Sequence, residues 1–132
     1  MKVKCIENTG LGFSDYTLEN MGCSRNTKLP LKVGETYMLY GQMIWKGILQ
    51  YLVTGTYENL PSWYPAELFE VVNSQVHFEW YYRYDNEAEI SAVWGYAELV
   101  KDKDYLYNLI EREEEAISIF LKRKKEIEEF CE

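Results

Sequence analysis

The chain is poor in the residues and patterns from which enzymes are usually built. It has one histidine in 132 residues, His77. A general base there needs a nucleophile or carboxylate beside it. The nearest candidate is Glu79 on the same strand face, so a surface histidine is the simpler reading. Its three cysteines, Cys5, Cys23 and Cys131, are odd in number and widely spaced, with no CxxC pair. That pattern argues against a disulfide framework and a zinc site, and for reduced thiols in a cytoplasmic protein. Met1–Ile6 lacks the apolar run of a signal peptide, and no segment approaches the ~20 apolar residues of a membrane span, so no membrane partner is expected. A glycine-rich phosphate loop followed by lysine is missing, which removes the common nucleotide sites. Asp85, Glu87 and Glu89 lack the glycine and the closing acid of a calcium loop. No metal and no cofactor is therefore expected. Carboxylates abound, but no spacing locates a glycosidase-like acid/base pair.

Clustered positive charge is equally scarce. The only basic run is Lys122-Arg123-Lys124-Lys125, and Glu126, Glu128 and Glu129 follow it at once. On a helix those four residues spread around every side, so a solvated, salt-bridged face explains them better than contact with nucleic acid.

Aromatic residues and negative charge are what the chain has in excess. Phe, Trp and Tyr make up 16% of it, led by twelve tyrosines. That is more than a core of this size hides completely. Either some tyrosines face solvent or a partner, or they line a half-exposed sheet, where they are favoured anyway. The net charge is −8. Residues 1–74 hold six basic and seven acidic side chains, whereas residues 75–132 hold eight and fifteen. Within 79–115 alone, four basic residues face eleven acidic ones. A field of that sign repels nucleic acid and attracts basic partners; ordinary solubility charge is the alternative.

Periodicity sketches an α+β chain. Met1–Ile6 reads as a strand with Met1, Val3 and Cys5 inward. Residues 7–30, rich in Asn, Gly, Ser, Asp and Thr, read as a long loop, with extended pieces near Phe13–Leu18 that could fold it into a hairpin. Strands are expected at 35–40 and 48–54 about a Gly41–Gly47 turn, then at 67–73 after Trp63-Tyr64-Pro65. From Val76 the period-two signal is the cleanest in the chain. Val76, Phe78, Trp80, Tyr82 and Tyr84 share one face, and His77, Glu79, Tyr81 and Arg83 the other. A turn at Asp85-Asn86-Glu87 leads to a return strand carrying Ile90, Ala92, Trp94 and Tyr96. From about Asp104 the period is helical, through Leu106, Leu109, Ile110, Ile117, Phe120, Leu121 and Ile127. Asp102 and Asp104 are candidate N-caps, and Glu113-Glu114-Glu115 is a candidate start for a second helix. The echo between Tyr64-Pro65-Ala66-Glu67-Leu68-Phe69 and Tyr96-Ala97-Glu98-Leu99-Val100 is too short for a repeat and reads as two strand entries of similar geometry.

Leu31-Lys32-Val33-Gly34-Glu35-Thr36-Tyr37 followed by Trp63-Tyr64-Pro65-Ala66-Glu67-Leu68-Phe69 resembles the SH3-like small barrels of bacterial and phage proteins. With Met1–Ile6 as first strand, the likeness covers about seventy residues. It implies a barrel over 1–74, with a β-hairpin and a helix or helix pair over 75–132 packed on it as one structural unit. It also implies a binding groove at Asp15, Glu19, Trp63, Tyr64 and Pro65, although the opening motif of peptide-binding SH3 domains is absent. The marks of the second half are Trp94-Gly95-Tyr96, Leu109–Glu113 and Phe120–Ile127. They are similar to an extension that accompanies such barrels in uncharacterised bacterial proteins, some with a purine-biosynthesis synthetase label that no motif here supports.

The functional expectation is a non-enzymatic protein-binding module. Its candidate surface is Glu79, Tyr81, Asp85, Glu87 and Glu89, its partner a basic protein, and its most specific form an immunity-type protein that neutralises a basic toxin. Two alternatives stand beside it. One is a small enzyme or ligand-binding protein with an acidic and aromatic site; the other is a nucleic-acid-associated SH3-like domain.

Overall fold

Antiparallel pairing organises the chain into two open sheets. The computed structural model describes residues 1–77 and 79–130. In the smaller sheet, β1 (Lys2–Cys5) lies between β2 (Thr36–Met38) and β6 (Phe69–Asn73). The larger sheet uses β3 (Gly41–Trp45), β4 (Ile48–Thr54), β5 (Pro61–Pro65), β7 (Tyr81–Tyr84) and β8 (Ile90–Gly95), in the order β5-β4-β3-β8-β7. Among the described residues the helices are α1 (Asp15–Met21), α2 (Ala97–Lys101), α3 (Lys103–Ile110) and α4 (Glu114–Phe130). The class is α+β, and neither sheet closes into a barrel. The larger sheet takes strands from both sides of residue 74.

β4 is buried nearly throughout because it separates two cores. Tyr51 and Val53 point toward the small sheet and join Val3, Cys5, Leu39, Leu68 and Phe69. Leu52 points the other way and joins Met43, Val93, Leu99, Leu106 and Phe120 beneath α2, α3 and α4. The helical period thus finds its cover. Asp102 caps α3 by accepting from the backbone N–H groups of Asp104 and Tyr105, and α4 opens at Glu114. Acidic residues in that first turn suit the positive end of the helix dipole.

Several local expectations need correction. Gly41–Trp45 is strand β3, and only Lys46-Gly47 turns. Phe13–Leu18 does not extend; it enters α1, whose N-cap Ser14 accepts from Thr17 N–H at 3.2 Å. Glu67, fifty residues on, bonds the Ser14 N–H at 2.6 Å and the Thr17 hydroxyl, so the segment folds over the small sheet as a helix. Trp63-Tyr64-Pro65 ends strand β5, a strand additional to the one expected at 67–73. The strand expected from Val76 begins only at Tyr81, and Phe78 lies outside the described residues, as does Cys131.

The short echo is a pair of strand exits, not strand entries. After β5, Ala66-Glu67-Leu68 makes one 3-10 turn, and after β8, Ala97–Lys101 makes α2. In both, the tyrosine and the leucine are buried, and the glutamate reaches out to hold another helix: Glu67 holds α1, Glu98 holds α4.

Gly41 and Gly95 pair directly across β3 and β8, and the fully buried Leu99 sits over both. A Cβ at Gly41 would lie 2.6 Å from Leu99 Cδ2, and one at Gly95 would lie 2.7 Å from the same atom. Two missing side chains therefore make the notch that admits α2 to the sheet. Gly41→Ala should cost about 1–3 kcal/mol by overpacking. In a Leu99→Ala background, where the colliding atom is gone, its cost should fall sharply. Urea denaturation of the four proteins measures both.

Tyr96 and Tyr105 are buried together, their hydroxyls 2.6 Å apart, and Tyr105 donates onward to the Ala116 carbonyl at 3.2 Å. Burial raises the ionisation of Tyr105 from its ordinary 10.0 to about 12 and raises that of Tyr96 further. Burial also raises Tyr40, Tyr51 and Tyr64. The folded protein keeps these protons where the unfolded chain loses them. The stability they contribute is complete below pH 10 and is lost as pH climbs through 10 toward 12 and beyond. Urea midpoints should be level on the neutral side and fall steeply above pH ~10, with tyrosinate absorbance appearing together with unfolding.

Candidate functional site

The small sheet covers only part of the large one, and what it leaves bare is aromatic. Its core residues meet Tyr51, Val53 and Tyr64 of β4 and β5, not β7 or β8. On the uncovered part of that face, Tyr82 pairs with Trp94 across the hairpin, ring centroids 5.0 Å apart and stacked at 29°. Tyr82 is 55% exposed and Tyr84, two residues on along the same face, is 62% exposed. β7 is also the edge of its sheet: among the described residues it pairs with β8 alone, so one side of its backbone has no strand partner there.

The candidate surface residues divide between the two ends of β7. Glu79 and Tyr81 are together at the first end. They line a cavity of about 400 Å³ with His77, Trp80, Tyr96 and Arg123. His77 is buried there, not on the surface; its Nδ1 accepts from the Glu79 N–H at 3.2 Å, and its ring meets Phe130 edge-on at 4.3 Å. Asp85, Glu87 and Glu89 lie at the far end, around the hairpin turn, where Asp85 Oδ1 accepts from the Glu87 N–H. Two of these acids have cationic neighbours, Lys103 at 3.5 Å from Asp85 and Lys46 at 3.9 Å from Glu89. Glu79 and Glu87 are exposed and form no ion pair among the described residues. Tyr81 carries Lys101 over its ring at 4.0 Å.

The groove candidates do not assemble. Tyr64 is 7% exposed, and Pro65 is fully buried. Asp15 lies in the first turn of α1 and holds Arg25 at 2.7 Å, and Glu19 is exposed on the same helix. Trp63 lines a different cavity, to which α1 contributes Met21 and neither acid.

Arg123 is the electrostatic anchor behind the tyrosine edge. Its guanidinium forks onto both oxygens of Glu98 at 2.8 Å and reaches Glu126 at 2.8 Å. Hydrogen bonding to Arg123 holds the Glu98 carboxyl below its ordinary range. On the other side of α4, burial works against the Glu128 carboxylate, but bonds from Lys124 and Tyr40 outweigh it and keep the group ionised. Within the basic run, Arg123 ties α4 to α2, Lys124 pairs with Glu128 inside α4, and Lys122 and Lys125 form no ion pair among the described residues. Sequence reading singled out Tyr81 on this strand and passed over Tyr82, Tyr84 and Trp94; their alternation was visible, but which face stays bare depends on the distant small sheet. No metal-ligating cluster of His, Cys, Asp or Glu occurs among the described residues, and no helix there is long and apolar enough to cross a membrane.

Comparison with protein-family models, curated proteins and solved structures returns no match to this chain.

Replacing Arg123 by Met strands Glu98 without its fork. Both side chains keep about 30% of their exposure, 27% and 31%, so the loss should be about 1–2 kcal/mol rather than that of a fully buried pair. Because the Glu98 carboxyl is depressed, its contribution is present above the ordinary value of 4.5 and is lost as pH falls below it. Acid titration followed by circular dichroism should show a shallower acid limb in the variant.

Proposed function

We propose that the protein is a non-enzymatic binding module whose contact surface is the bare face of the β7–β8 hairpin. The observation that carries this reading is the stacked Tyr82–Trp94 pair with Tyr84 beside it, exposed at a sheet edge. Tyrosines supply large, rigid contact area with few rotatable bonds, which suits them to anchor an interface. Glu79 and Glu87 flank them, and the acidic excess of residues 79–115 surrounds them. Charge complementarity therefore favours a basic protein as partner. An immunity-type role, in which the partner is a basic toxin, is the specific form of this reading that the acidic field supports. The likeness of Leu31–Val72 to SH3-like barrels adds no second surface, since Tyr64 and Pro65 are buried.

The test is affinity capture from cell extract with the intact chain and with the Tyr82→Ser/Tyr84→Ser double variant. The captured protein should be basic, should bind the double variant at least ~10-fold more weakly, and should associate more slowly as salt rises. A partner that binds both proteins equally, or whose association ignores salt, overturns the assignment.

A further inference from the structure

On the helix-covered face of the large sheet, at the end far from β7, a groove of about 390 Å³ opens between the strands and helices α1 and α3. Trp45, Gln50 and Trp63 form part of its lining, with Met21 and Tyr107 from the helices and Arg112 beside them. Gln50 is unusual here. It is 3% exposed, yet its only hydrogen bond among the described residues is a long one, 3.9 Å from Nε2 to the Met21 sulfur. Its carbonyl oxygen has no partner among the described residues and is not sealed from the groove. Close by, the Trp63 indole N–H is shut off from solvent and has no acceptor. Buried polar groups are nearly always paired, so an amide held at 3% exposure with its acceptor unused marks a place for a ligand that pairs it.

We propose that this groove binds a small planar heteroaromatic molecule bearing a lactam edge, of the nucleobase type. The chemistry of the lining selects that class. A glutamine amide offers a donor and an acceptor side by side, which matches the adjacent C=O and N–H of a lactam. Two indoles and a phenol supply aromatic surface for a flat ring, and the volume suits a one- or two-ring ligand. A purely apolar ligand leaves Gln50 as unsatisfied as before. A quaternary cation is opposed by Arg112, whose guanidinium donates to Ser62 at 3.1 Å on the same groove, while the one acid there, Glu89, has Lys46 as a neighbour. The site lies on the opposite face from Tyr82 and Tyr84 and does not depend on the partner surface proposed above.

The experiment is a titration of nitrogen-labelled protein with hypoxanthine and with uracil, reading the four indole N–H resonances by NMR; tetramethylammonium and toluene serve as controls. Saturable shifts of the Trp63 and Trp45 signals with at least one of the bases, and none with the controls, are expected. Gln50→Leu should weaken binding ~10-fold or more while melting cooperatively at or above the wild-type temperature, because a site that hydrogen-bonds its ligand discriminates through that bond. Trp63→Phe, which keeps an aromatic ring and removes the N–H, should weaken binding less. Absence of saturable shifts with both bases, equal binding by Gln50→Leu, or preference for a control overturns the proposal.

Discussion

Everything downstream of residue 74 depends on how closely β8 can lie beside β3 with a helix above the junction. Gly41 opposite Gly95 leaves a hollow, and Leu99 fills it. Once that contact forms, β8 is fixed between β3 and β7, β7 becomes the sheet's edge, and α2 is delivered onto its face. α3 follows after a single linking residue, Asp102, which also serves as its cap. A hydrophobic contact between residues nearly sixty positions apart thus decides where the hairpin, the helices and the exposed tyrosines end up. Such non-local contacts carry a high loop-closure cost before they return anything, and the surrounding core of Val93, Leu106 and Phe120 is what offsets it.

Charge plays the secondary, fastening role. Glu67 holds α1 and Glu98 holds α4, each from the first turn after a strand. Both are carboxylates with specific donors, in a chain that otherwise has more acid than it can neutralise. On the hairpin, Glu79 and Glu87 are exposed without an ion pair among the described residues, and at the start of α4 so are Glu114 and Glu115.

Most of what the sequence revealed came from local, periodic signals. The strand Ile48–Thr54, the return strand from Ile90, the cap at Asp102 and the helix beginning at Glu114 were all legible, because each is specified within a few residues. The failures share a cause in distance. Gly41 looked like turn punctuation, yet it is a strand glycine emptied for Leu99. Residues 14–21 carried a Ser-x-x-Thr cap, but the carboxylate that completes it is Glu67, so nothing nearby distinguished helix from loop. Gln50 lies in a strand that the sequence placed correctly, and only the two-sided burial of β4 makes it unusual. Exposure of Tyr82 and Tyr84 follows from the limited reach of the small sheet, a property of three strands drawn from across the first seventy-three residues.

The two edges of the large sheet are not equivalent. β5 carries Pro61 and Pro65, and amide groups at alternate positions point the same way, so two of the three outward donor positions on that strand hold no N–H. β7 has no proline and keeps its outward amides. A sheet that can accept a neighbour at both edges propagates into a filament, whereas one with a single competent edge stops after one addition. The large sheet is therefore open to strand pairing at β7 and blocked at β5, so a β7-to-β7 pairing of two copies would close on itself rather than extend.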